Sequence, residues 1–282
     1  MKVLPFKIPK TERNAVIFQE DKVRHFYNKL HQHEETQISL IVEGEGALIV
    51  GDTVNHYKKG DILVIGSNVP HVFMGDKNEN SRYHMLSLFF SKRSFGEDFF
   101  ELVELKEIAS FFKRAQYGFK LNSSKQKAST LIYNAKDASR LERLVILLQL
   151  LKIGSEVRYT YLSSFISSKQ YSDNEGNRLR DIFEFTMNNF NTPISLQTVA
   201  DVANMTKNAF CKYFKKRTNK TYIQFLNEMR IGYATRLLSS DEELPIIEVA
   251  ERCGFNNLSN FNRQFKHIKG FTPSKSRRLG RT

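Results

Sequence analysis

An internal repeat in the last third of the chain constrains the fold more than any other feature. Val199-Ala200 and Val249-Ala250 open two copies of one pattern, at an offset of fifty positions that becomes fifty-one after the turn. A repeat of this length is typical of a duplicated small structural unit. The later matching positions are Asn204, Phe210, Phe214 and Thr221 in the first copy, and Gly254, Phe261, Phe265 and Thr272 in the second.

The residue types within each copy predict a helix-turn-helix. Ala200 and Ala250 are small enough for two helices to cross closely, and the turn four residues later needs a residue that tolerates a left-handed conformation. Asn204 and Gly254 meet that need. The two phenylalanines share the buried face of the second helix, and polar and basic residues fill its outward face. Two such units in one chain predict a DNA-binding domain.

Composition narrows the class of protein. The 282 residues, 40% of them hydrophobic, allow two domains with ordinary cores. The net charge of +13 favours an anionic partner such as nucleic acid. No stretch reaches the roughly 18 apolar residues of a membrane span, so we expect a cytoplasmic protein without a membrane partner. The only cysteines, Cys211 and Cys253, exclude a disulfide framework and fit a thiol-reducing compartment.

The N-terminal third has the pattern of a small β-barrel. Residues 37–42, 47–50 and 62–65 are short apolar runs separated by turns that contain glycine, at intervals of about ten residues. A later strand at residues 83–90 ends this module. We therefore predict an all-β barrel over residues 1–92.

The apolar period becomes helical after Phe90. Phe99, Leu102, Leu105, Ile108 and Phe112 fall near helical spacing. A second helix, starting near Asp137, carries an apolar stripe that could be core or an interface. Because symmetric dimers are the commonest assembly, we assign the stripe to homodimerisation. Its assigned residues are Leu141, Leu144, Leu148 and Leu151.

These patterns predict an α+β protein of two domains, with its boundaries at changes of composition. The barrel is followed by a helical segment at 93–166, a polar linker at 167–177 and an all-α DNA-binding domain at 178–282. Within that last domain, Ser195 and Thr206 are predicted N-caps. Thr221 with Gln224 forms a capping-box pattern that opens a long connector helix ending near Ser239.

The repeat domain resembles the AraC/XylS family of transcription regulators. The residues that carry the resemblance include Cys253-Gly-Phe, Ser259-Asn-Phe and Gly270-Phe-Thr-Pro273, and the match runs over about a hundred residues. It departs at Ser276, where the family usually has Tyr, so a packing contact of the C-terminal cap is expected to be lost. The resemblance implies one domain that places two recognition helices in successive major grooves of DNA.

The resemblance also assigns roles to side chains. Arg263 suits bidentate contact with guanine and asparagine suits adenine, whereas Lys212 could instead touch only phosphate. The phosphate-binding lysines could equally stabilise helix C-termini. Arg230 and Arg236 are expected to pair with Glu248 or Glu251. The base-reading set is Asn208, Cys211, Lys212, Leu258, Ser259, Asn260 and Arg263, and the phosphate set is Lys207, Lys215, Lys216, Lys220, Lys266 and Lys269.

The barrel resembles a cupin. The pattern is His31-Gln-His33, Gln37 and Gly44, followed by Gly60-Asp61 and Pro70-His71. His31 and His33 stand two apart on a strand, so they face the same side, and His71 could join them to hold a divalent metal. Gln37 stands where the pattern has an acid, and Glu34 or Glu35 would need a shifted register. We therefore predict an effector pocket of His31, His33, Gln37 and His71, with no metal and no cofactor.

The leading hypothesis is a sequence-specific transcriptional regulator, not an enzyme, whose partners are promoter DNA, a small-molecule effector in the barrel, a second copy and RNA polymerase. One alternative is a metal-dependent cupin enzyme tethered to DNA, which Gln37 disfavours. Another is an architectural DNA-binding protein with an empty barrel. Metal analysis and sequence-specific footprints distinguish the three.

Overall fold

The structure is a computed structural model, which describes residues 14–24, 26, 30–75, 82–96, 98–164, 173–239 and 244–280. The chain divides into two compact units, Met1–Gln170 and Tyr171–Thr282. Among the described helices, none is long and apolar enough to cross a membrane.

The first unit is built on two antiparallel sheets. The larger has the strand order β1-β7-β2-β5-β8-β9, and the smaller has the order β4-β3-β6. Their strands are β1 Val16–Val23, β2 Thr36–Glu43, β3 Gly46–Val50, β4 Thr53–Tyr57, β5 Ile62–Ile65, β6 His71–Gly75, β7 Tyr83–Phe90, β8 Phe119–Leu121 and β9 Tyr159–Tyr161.

Alternating side chains of β2 divide the interior of this unit into two cores. Ile38 and Leu40 belong to the core that the helices of the unit cover, whereas Ile41 belongs to the core between the two sheets. Each of the three is at most 2% exposed. This burial on both faces explains why residues 37–42 form a nearly continuous apolar run and not a strict alternation.

The strands expected at 37–42, 47–50, 62–65 and 83–90 are confirmed within a residue or so of their ends. The segment expected to be helical, residues 93–166, contains two strands in addition. There β8 pairs with β5, and β9 pairs with β8, which extends the larger sheet beyond residue 92. Each of these strands has three residues, too few for a period of two to be visible in the sequence.

Three α-helices complete the first unit: α1 Ala109–Ala115, α2 Lys125–Asn134 and α3 Arg140–Glu156. The helical spacing that begins at Phe99 yields short 3-10 helices at Phe99–Glu101 and Val103–Ile108 ahead of α1, not one long helix. The start of α3 lies close to the expected position. Ser139 accepts a hydrogen bond from the Glu142 N–H and the Glu142 side chain bonds back, which makes a capping box.

The second unit is helical throughout its described residues. Its helices are α4 Asp173–Asn189, α5 Leu196–Val202, α6 Lys207–Thr218, α7 Tyr222–Ser239, α8 Ile246–Arg252, α9 Leu258–Lys269 and α10 Pro273–Gly280. Because α4 begins at Asp173, the expected linker at 167–177 is wrong for its last residues, and its earlier residues up to 172 lie outside the described chain. Polar composition does not prevent a helix when one apolar stripe can pack.

The two repeats fold alike, as the sequence predicts. In the first turn Asn204 has φ of 52° and the Met205 N–H donates to the Ala200 carbonyl at 2.9 Å. In the second, Gly254 has φ of 81° and the Phe255 N–H donates to Ala250 at 3.0 Å. Both alanines are buried.

The predicted caps are present as well. Ser195 and Thr206 cap α5 and α6. Thr221 and Gln224 make the reciprocal bonds of a capping box ahead of α7. At the C-terminus, Ser276 is buried and its N–H donates to the Thr272 carbonyl at 3.0 Å, so the helix forms without the tyrosine.

Candidate functional site

The outward faces of α6 and α9 carry the residues expected to read bases. In α6, Asn208, Cys211 and Lys212 are exposed, while Phe210 and Phe214 are completely buried on the opposite face. The same division holds in α9, where Phe261 and Phe265 are buried. There Leu258, Ser259 and Arg263 are exposed and Asn260 is half-buried.

The first turn of α9 holds its polar groups in a connected arrangement. The Asn257 side chain accepts from the Asn260 N–H at 3.0 Å and caps the helix. The Asn260 Oδ1 in turn accepts from Arg263 Nη2 at 3.0 Å. A guanidinium that is already oriented at the helix surface loses less side-chain entropy when it meets a guanine edge. This arrangement suits Arg263 for base contact.

Most of the lysines expected at phosphates lie on the surface. Lys207, Lys215, Lys216 and Lys266 are exposed, and Lys269 is half-buried. Lys220 is different, because its ammonium lies 2.9 Å from the Glu228 carboxylate and its side chain is only 14% exposed. The ion pair balances the charge of Lys220 within the domain and makes it a weaker candidate for phosphate contact than the exposed lysines. The sequence offered no sign of an i,i+8 contact across the start of α7.

The expected pairing of the connector arginines with acids is also wrong for Arg230. Glu248 pairs with Arg252, at 2.7 Å from Nη2 to Oε1 and at the i,i+4 spacing of one helix. Arg230 instead donates to two backbone carbonyls, Phe190 at 2.7 Å and Thr192 at 2.9 Å. Arg236 lies over the Tyr233 ring, 5.0 Å from its centroid.

A second polar site lies in the barrel, where three histidines converge. One ligand nitrogen from each of His31, His33 and His71 lies within 4.8 Å of the others, and all three residues are buried. The bridge between the backbones of His31 and His71 brings them together, with N–H to carbonyl distances of 3.0 and 2.9 Å. The three histidines thus lie together, as the sequence allowed for His71.

The chemical state of His71 suits a ligand. Its Nδ1 lies 2.8 Å from the Val69 carbonyl, which can only accept, so Nδ1 carries the proton and Nε2 carries the lone pair. The Nε2 atom is buried without a hydrogen-bond partner. Burial, followed by the neighbouring His31 and His33, holds the pKa of His71 well below its usual value, so the ring is neutral near pH 7.

Gln37 joins the cluster, as the sequence predicts. Its Oε1 lies 3.3 Å from His33 Nε2, and its amide donates to Ser39 Oγ, which lies 2.7 Å from Ser87 Oγ. The neighbouring acids differ from each other: Glu34 is exposed, whereas Glu35 is buried with its carboxylate 3.8 Å from His33 Nδ1. Glu35 was expected to need a shifted register, yet it is two residues from His33, and alternation puts such a residue on the same side.

Three imidazole nitrogens in a buried site form a donor set that fits a divalent transition ion such as Zn²⁺, Ni²⁺ or Cu²⁺. Such an ion commonly holds its histidines through one nitrogen while the other donates to a carbonyl, as His71 does here. Beside the cluster, aromatic rings of Phe26, Tyr57, Phe73 and Tyr83 pack at centroid distances of 5.2–6.1 Å. Much of the barrel interior is therefore filled by side chains.

Comparison with known proteins gives two domain matches. A helix-turn-helix domain matches residues 199–279, and a cupin domain matches residues 18–88. Relatives of similar length are also transcriptional regulators by name. The chain is 24% identical to the uncharacterized HTH-type transcriptional regulator YdeC of Bacillus subtilis over 259 residues, which are 88% of this chain and 85% of that protein. The chain is a transcriptional regulator with an AraC-type DNA-binding domain.

Two further comparisons cover the whole regulator and its C-terminal part. It is 24% identical to the probable transcriptional regulator LumQ of Photobacterium leiognathi, over 87% of this chain and 90% of that protein. A probable AraC family regulator of solved structure from Rhodopseudomonas palustris shares 24% identity, with a TM-score of 0.36, over 38% of this chain and 99% of that one.

The regulator has a further buried polar site that the sequence did not reveal. Asp52, in the turn between β3 and β4, is completely buried. Its Oδ1 accepts from the Ser163 hydroxyl and the Ser164 N–H, each at 3.0 Å, and its Oδ2 accepts from the Ser164 hydroxyl. Asn55 of β4 also donates to the Leu162 carbonyl at 2.7 Å. These contacts fix the last described residues of the first unit against the barrel.

The leucines of α3 do not form one surface of the regulator. Leu151 is completely buried in the core of the first unit, so its assignment to dimerisation is wrong. Leu144 and Leu148 are half-buried, whereas Leu141 is 70% exposed. Val145, one turn after Leu141, is 47% exposed. Because α3 has leucine on most of its sides, the sequence alone does not indicate which side faces the core.

The two thiols of the regulator differ in environment. Cys253 is buried next to the second turn, and burial raises its pKa to about 12. Cys211 is exposed on α6. A thiol with a raised pKa is a poor nucleophile at neutral pH, so Cys253 acts as a packing residue.

Proposed function

We propose that this regulator binds promoter DNA through α6 and α9 and that occupancy of the barrel histidines changes that binding. The observation that carries the effector part is the convergence of three buried imidazoles, one of them with an unpartnered Nε2. Buried polar atoms are seldom left without partners unless a ligand or a water satisfies them. The cluster is therefore the effector site.

Two successive major grooves are the proposed DNA contact. The connector α7 has 18 residues, which at 1.5 Å per residue gives a helix roughly 27 Å long. This length is comparable with the roughly 34 Å between equivalent positions of one duplex turn. The exposed polar faces of α6 and α9 support base reading, and Lys207, Lys215, Lys216, Lys266 and Lys269 support phosphate contact.

The effector is a divalent transition ion held by the three histidines. Imidazole nitrogen suits Zn²⁺, Ni²⁺ and Cu²⁺, whereas it is a poor ligand for Ca²⁺ and Mg²⁺. The neutral state of His71 supports this class, because its lone pair does not have to lose a proton first. This proposal replaces the expectation of a barrel without metal.

The role of the ion is regulatory and not catalytic. All three histidines are at most 9% exposed, and aromatic side chains occupy the adjoining core, which leaves little room for a substrate at the site. The relatives of similar length are named as regulators. Both observations support a non-enzymatic chain that works in the cytoplasm, where promoter DNA and RNA polymerase are its partners.

A short route connects the histidines to the end of the first unit. Val50 is the sheet partner of His71, and the next residue, Gly51, donates to the Pro70 carbonyl at 2.8 Å. Asp52 follows and holds Ser163 and Ser164. A shift of His71 on ligand binding would therefore reach, within three residues, the contact that holds the last described residues of the first unit.

A homodimer is proposed through the exposed side of α3. Leu141 and Val145 lie one helical turn apart, and Leu144 and Leu148 flank them as half-buried neighbours. Exposed apolar side chains in one stripe are favoured as interface residues. Replacement of the two exposed residues, Leu141 and Val145, by aspartate should give a folded monomer.

The test of the proposed function begins with purified full-length protein. Selection from genomic DNA supplies a bound duplex, and titrations then measure its affinity with chelator or with Zn²⁺, Ni²⁺, Cu²⁺ or Mg²⁺. We expect one transition ion per chain by elemental analysis and an affinity change of about tenfold, which corresponds to about 1.4 kcal/mol. Mg²⁺ should have no effect.

Two variants complete this test. His31→Ala with His33→Ala should abolish both ion retention and the response, while His84→Ala, outside the cluster and paired with Glu20, should keep both. If the protein held no metal and its affinity for the duplex were the same under every condition, the histidine cluster would not be the effector site. The proposed DNA-binding function would be unaffected by that result.

A further inference from the structure

The segment at residues 190–192 follows α4 and lies between the two helix-turn-helix motifs. The first motif is α5–α6 and the second motif is α8–α9. The Phe183 ring of α4 packs against Phe214 of α6 at 6.2 Å. Tyr222, at the start of α7, packs against Phe210 at 5.5 Å and its hydroxyl lies 2.9 Å from Thr186 of α4. Residues 190–192 therefore follow directly on a helix, α4, that packs against both α6 and α7.

The same segment contacts the turn of the second helix-turn-helix motif, between α8 and α9. A Cβ at Gly254 would lie 2.7 Å from the Phe190 carbonyl oxygen and 2.9 Å from the Asn191 carbonyl carbon. Contacts below 3.0 Å force a shift of one partner, and here both nearest atoms are backbone. The backbone of the segment thus sits directly on the second turn, and glycine is the residue that permits the approach.

Arg230 joins the three parts at one point. It lies in the middle of α7, and its Nε donates to the Phe190 carbonyl at 2.7 Å while its Nη2 donates to Thr192 at 2.9 Å. The guanidinium carbon also lies 5.5 Å from the centroid of the Phe255 ring, in the second helix-turn-helix motif. From its position on α7, one planar group therefore contacts both residues 190–192 and the second helix-turn-helix motif.

These contacts bear on specificity because the spacing of two bound grooves depends on the relative position of α6 and α9. The second helix-turn-helix motif shares a hydrophobic core with the C-terminal half of α7. In that core, Ile231, Ala234 and Leu238 pack with Phe261 and Phe265. That core joins the second helix-turn-helix motif to α7, and the contact of Gly254 with the backbone of residues 190–192 joins it to the segment. Arg230 ties α7 to the same segment by two hydrogen bonds, beside the Phe190 ring, which packs against Tyr233 of α7 at 5.1 Å.

We propose that Arg230 is a positioning residue that sets the separation of α6 and α9, and with it the number of base pairs between the two motifs in the operator. The proposal rests on the proposed docking of both helices in successive grooves. Arg230 need not touch DNA for this role. Its fork of donors is what the role requires, and lysine cannot reproduce two bonds of fixed geometry.

The experiment uses the full chain and randomised duplexes. Selection with the wild type, Arg230→Ala, Arg230→Lys and Arg252→Ala gives the preferred motifs and their spacing. Arg252→Ala is the matched control, because it removes one arginine from the same domain and from an exposed i,i+4 pair. Titrations on duplexes with the spacer shortened or lengthened by one base pair then give the dependence on spacing.

We expect the wild type and Arg252→Ala to lose about tenfold in affinity when the spacer changes by one pair, as for a mismatch of about 1.4 kcal/mol. Both Arg230 variants should lose about threefold or less, because their helices can readjust, and each motif alone should keep its base preference. A selected motif with only one half in the wild type would refute two-groove docking itself.

A bipartite motif with the same spacer dependence in Arg230→Lys as in the wild type would instead refute the role of Arg230 while leaving the docking intact. Circular dichroism and melting temperature accompany each titration. Should Arg230→Ala fail to fold, the lysine variant decides, since it keeps the charge and the aliphatic stem. A uniform loss of affinity at all spacers would also count against positioning.

Discussion

The two units of the chain differ in where their polar functional groups lie. These groups are on the surface in the helical unit and are buried in the barrel unit. In the helical unit, Asn208, Lys212 and Arg263 lie on exposed helix faces, and the buried faces are phenylalanine. In the barrel unit, His71 and Asp52 lie inside, at most 1% exposed. A helix presents its two faces to different surroundings, whereas an enclosed barrel uses its interior for both packing and binding.

This difference predicts how substitutions behave. Changes at exposed helix positions should alter DNA binding with little effect on stability, because surface substitutions usually stay within about 0.5 kcal/mol. Changes at interior polar positions should alter stability and binding together, since each removed group leaves buried partners without a hydrogen bond. The comparison can be tested from either side.

The largest effect is expected from Asp52→Ala. The change leaves the buried Ser163 hydroxyl without its acceptor, which costs about 1–3 kcal/mol, and it removes two further hydrogen bonds from Ser164, which is exposed. The free energy of unfolding of the first unit should fall by about 2–4 kcal/mol, and calorimetry of the full chain should show one of its transitions lowered. Asp137→Ala, at an exposed position before α3, is the control. Equal transitions in both variants would show that Asp52 does not hold the segment.

Stabilisation by a bound ion should be the next largest effect. An ion that binds the folded state alone at 100 times its dissociation constant adds about 2.7 kcal/mol to the free energy of unfolding. Ni²⁺ or Zn²⁺ should raise the transition of the first unit, and the change His71→Ala should abolish the increase. His267→Ala, on exposed α9, should keep it. A rise of the helical transition instead would place the ion outside the barrel.

The sequence predicted the helical unit well, because its signals are local. The repeat, the left-handed turn residues Asn204 and Gly254, and the caps Ser195 and Thr206 each depend on a few neighbouring residues. The outward position of most of the expected base-reading residues also follows, since outward faces are complementary to the phenylalanine faces, and their contact with bases stays a prediction. The sequence did not predict the contacts of Arg230, because its carbonyl partners lie about forty positions away in the chain.

In the barrel, the strands were predictable but the site was only partly so. His31, His33, Gln37 and His71 were identified by their pattern, yet their convergence depends on the bridge between His31 and His71, which no local period encodes. Asp52 was missed because its donors are more than a hundred residues away. The burial of Leu151 was missed because α3 has leucine on both the core side and the solvent side.

Arg263→Ala should separate binding from stability more clearly than any barrel variant. The guanidinium is exposed and held by Asn260, so its loss leaves no buried group unsatisfied. Affinity for the preferred duplex should fall by about 1–3 kcal/mol, and preference at one base position should relax. Competition titrations with single-base variants of the duplex measure both. A fall in the melting temperature as large as that for Asp52→Ala would break the proposed contrast between the units.

The smallest effect is expected from Lys216→Ala, and it should differ in kind from that of Arg263→Ala. Lys216 is exposed near the end of α6, where an ammonium acts as a point charge without geometric selectivity. Its removal should weaken binding to all duplexes alike and reduce the slope of log affinity against log salt by about one unit. Titrations on preferred and scrambled duplexes at several salt concentrations separate the two variants. If Lys216→Ala altered base preference while Arg263→Ala weakened all sequences alike, the roles of the two helix faces would be reversed. Because α6 and α9 share one fold and one pattern of buried phenylalanines, such a reversal would mean that the docking of the domain, and not its structure, had been inferred wrongly.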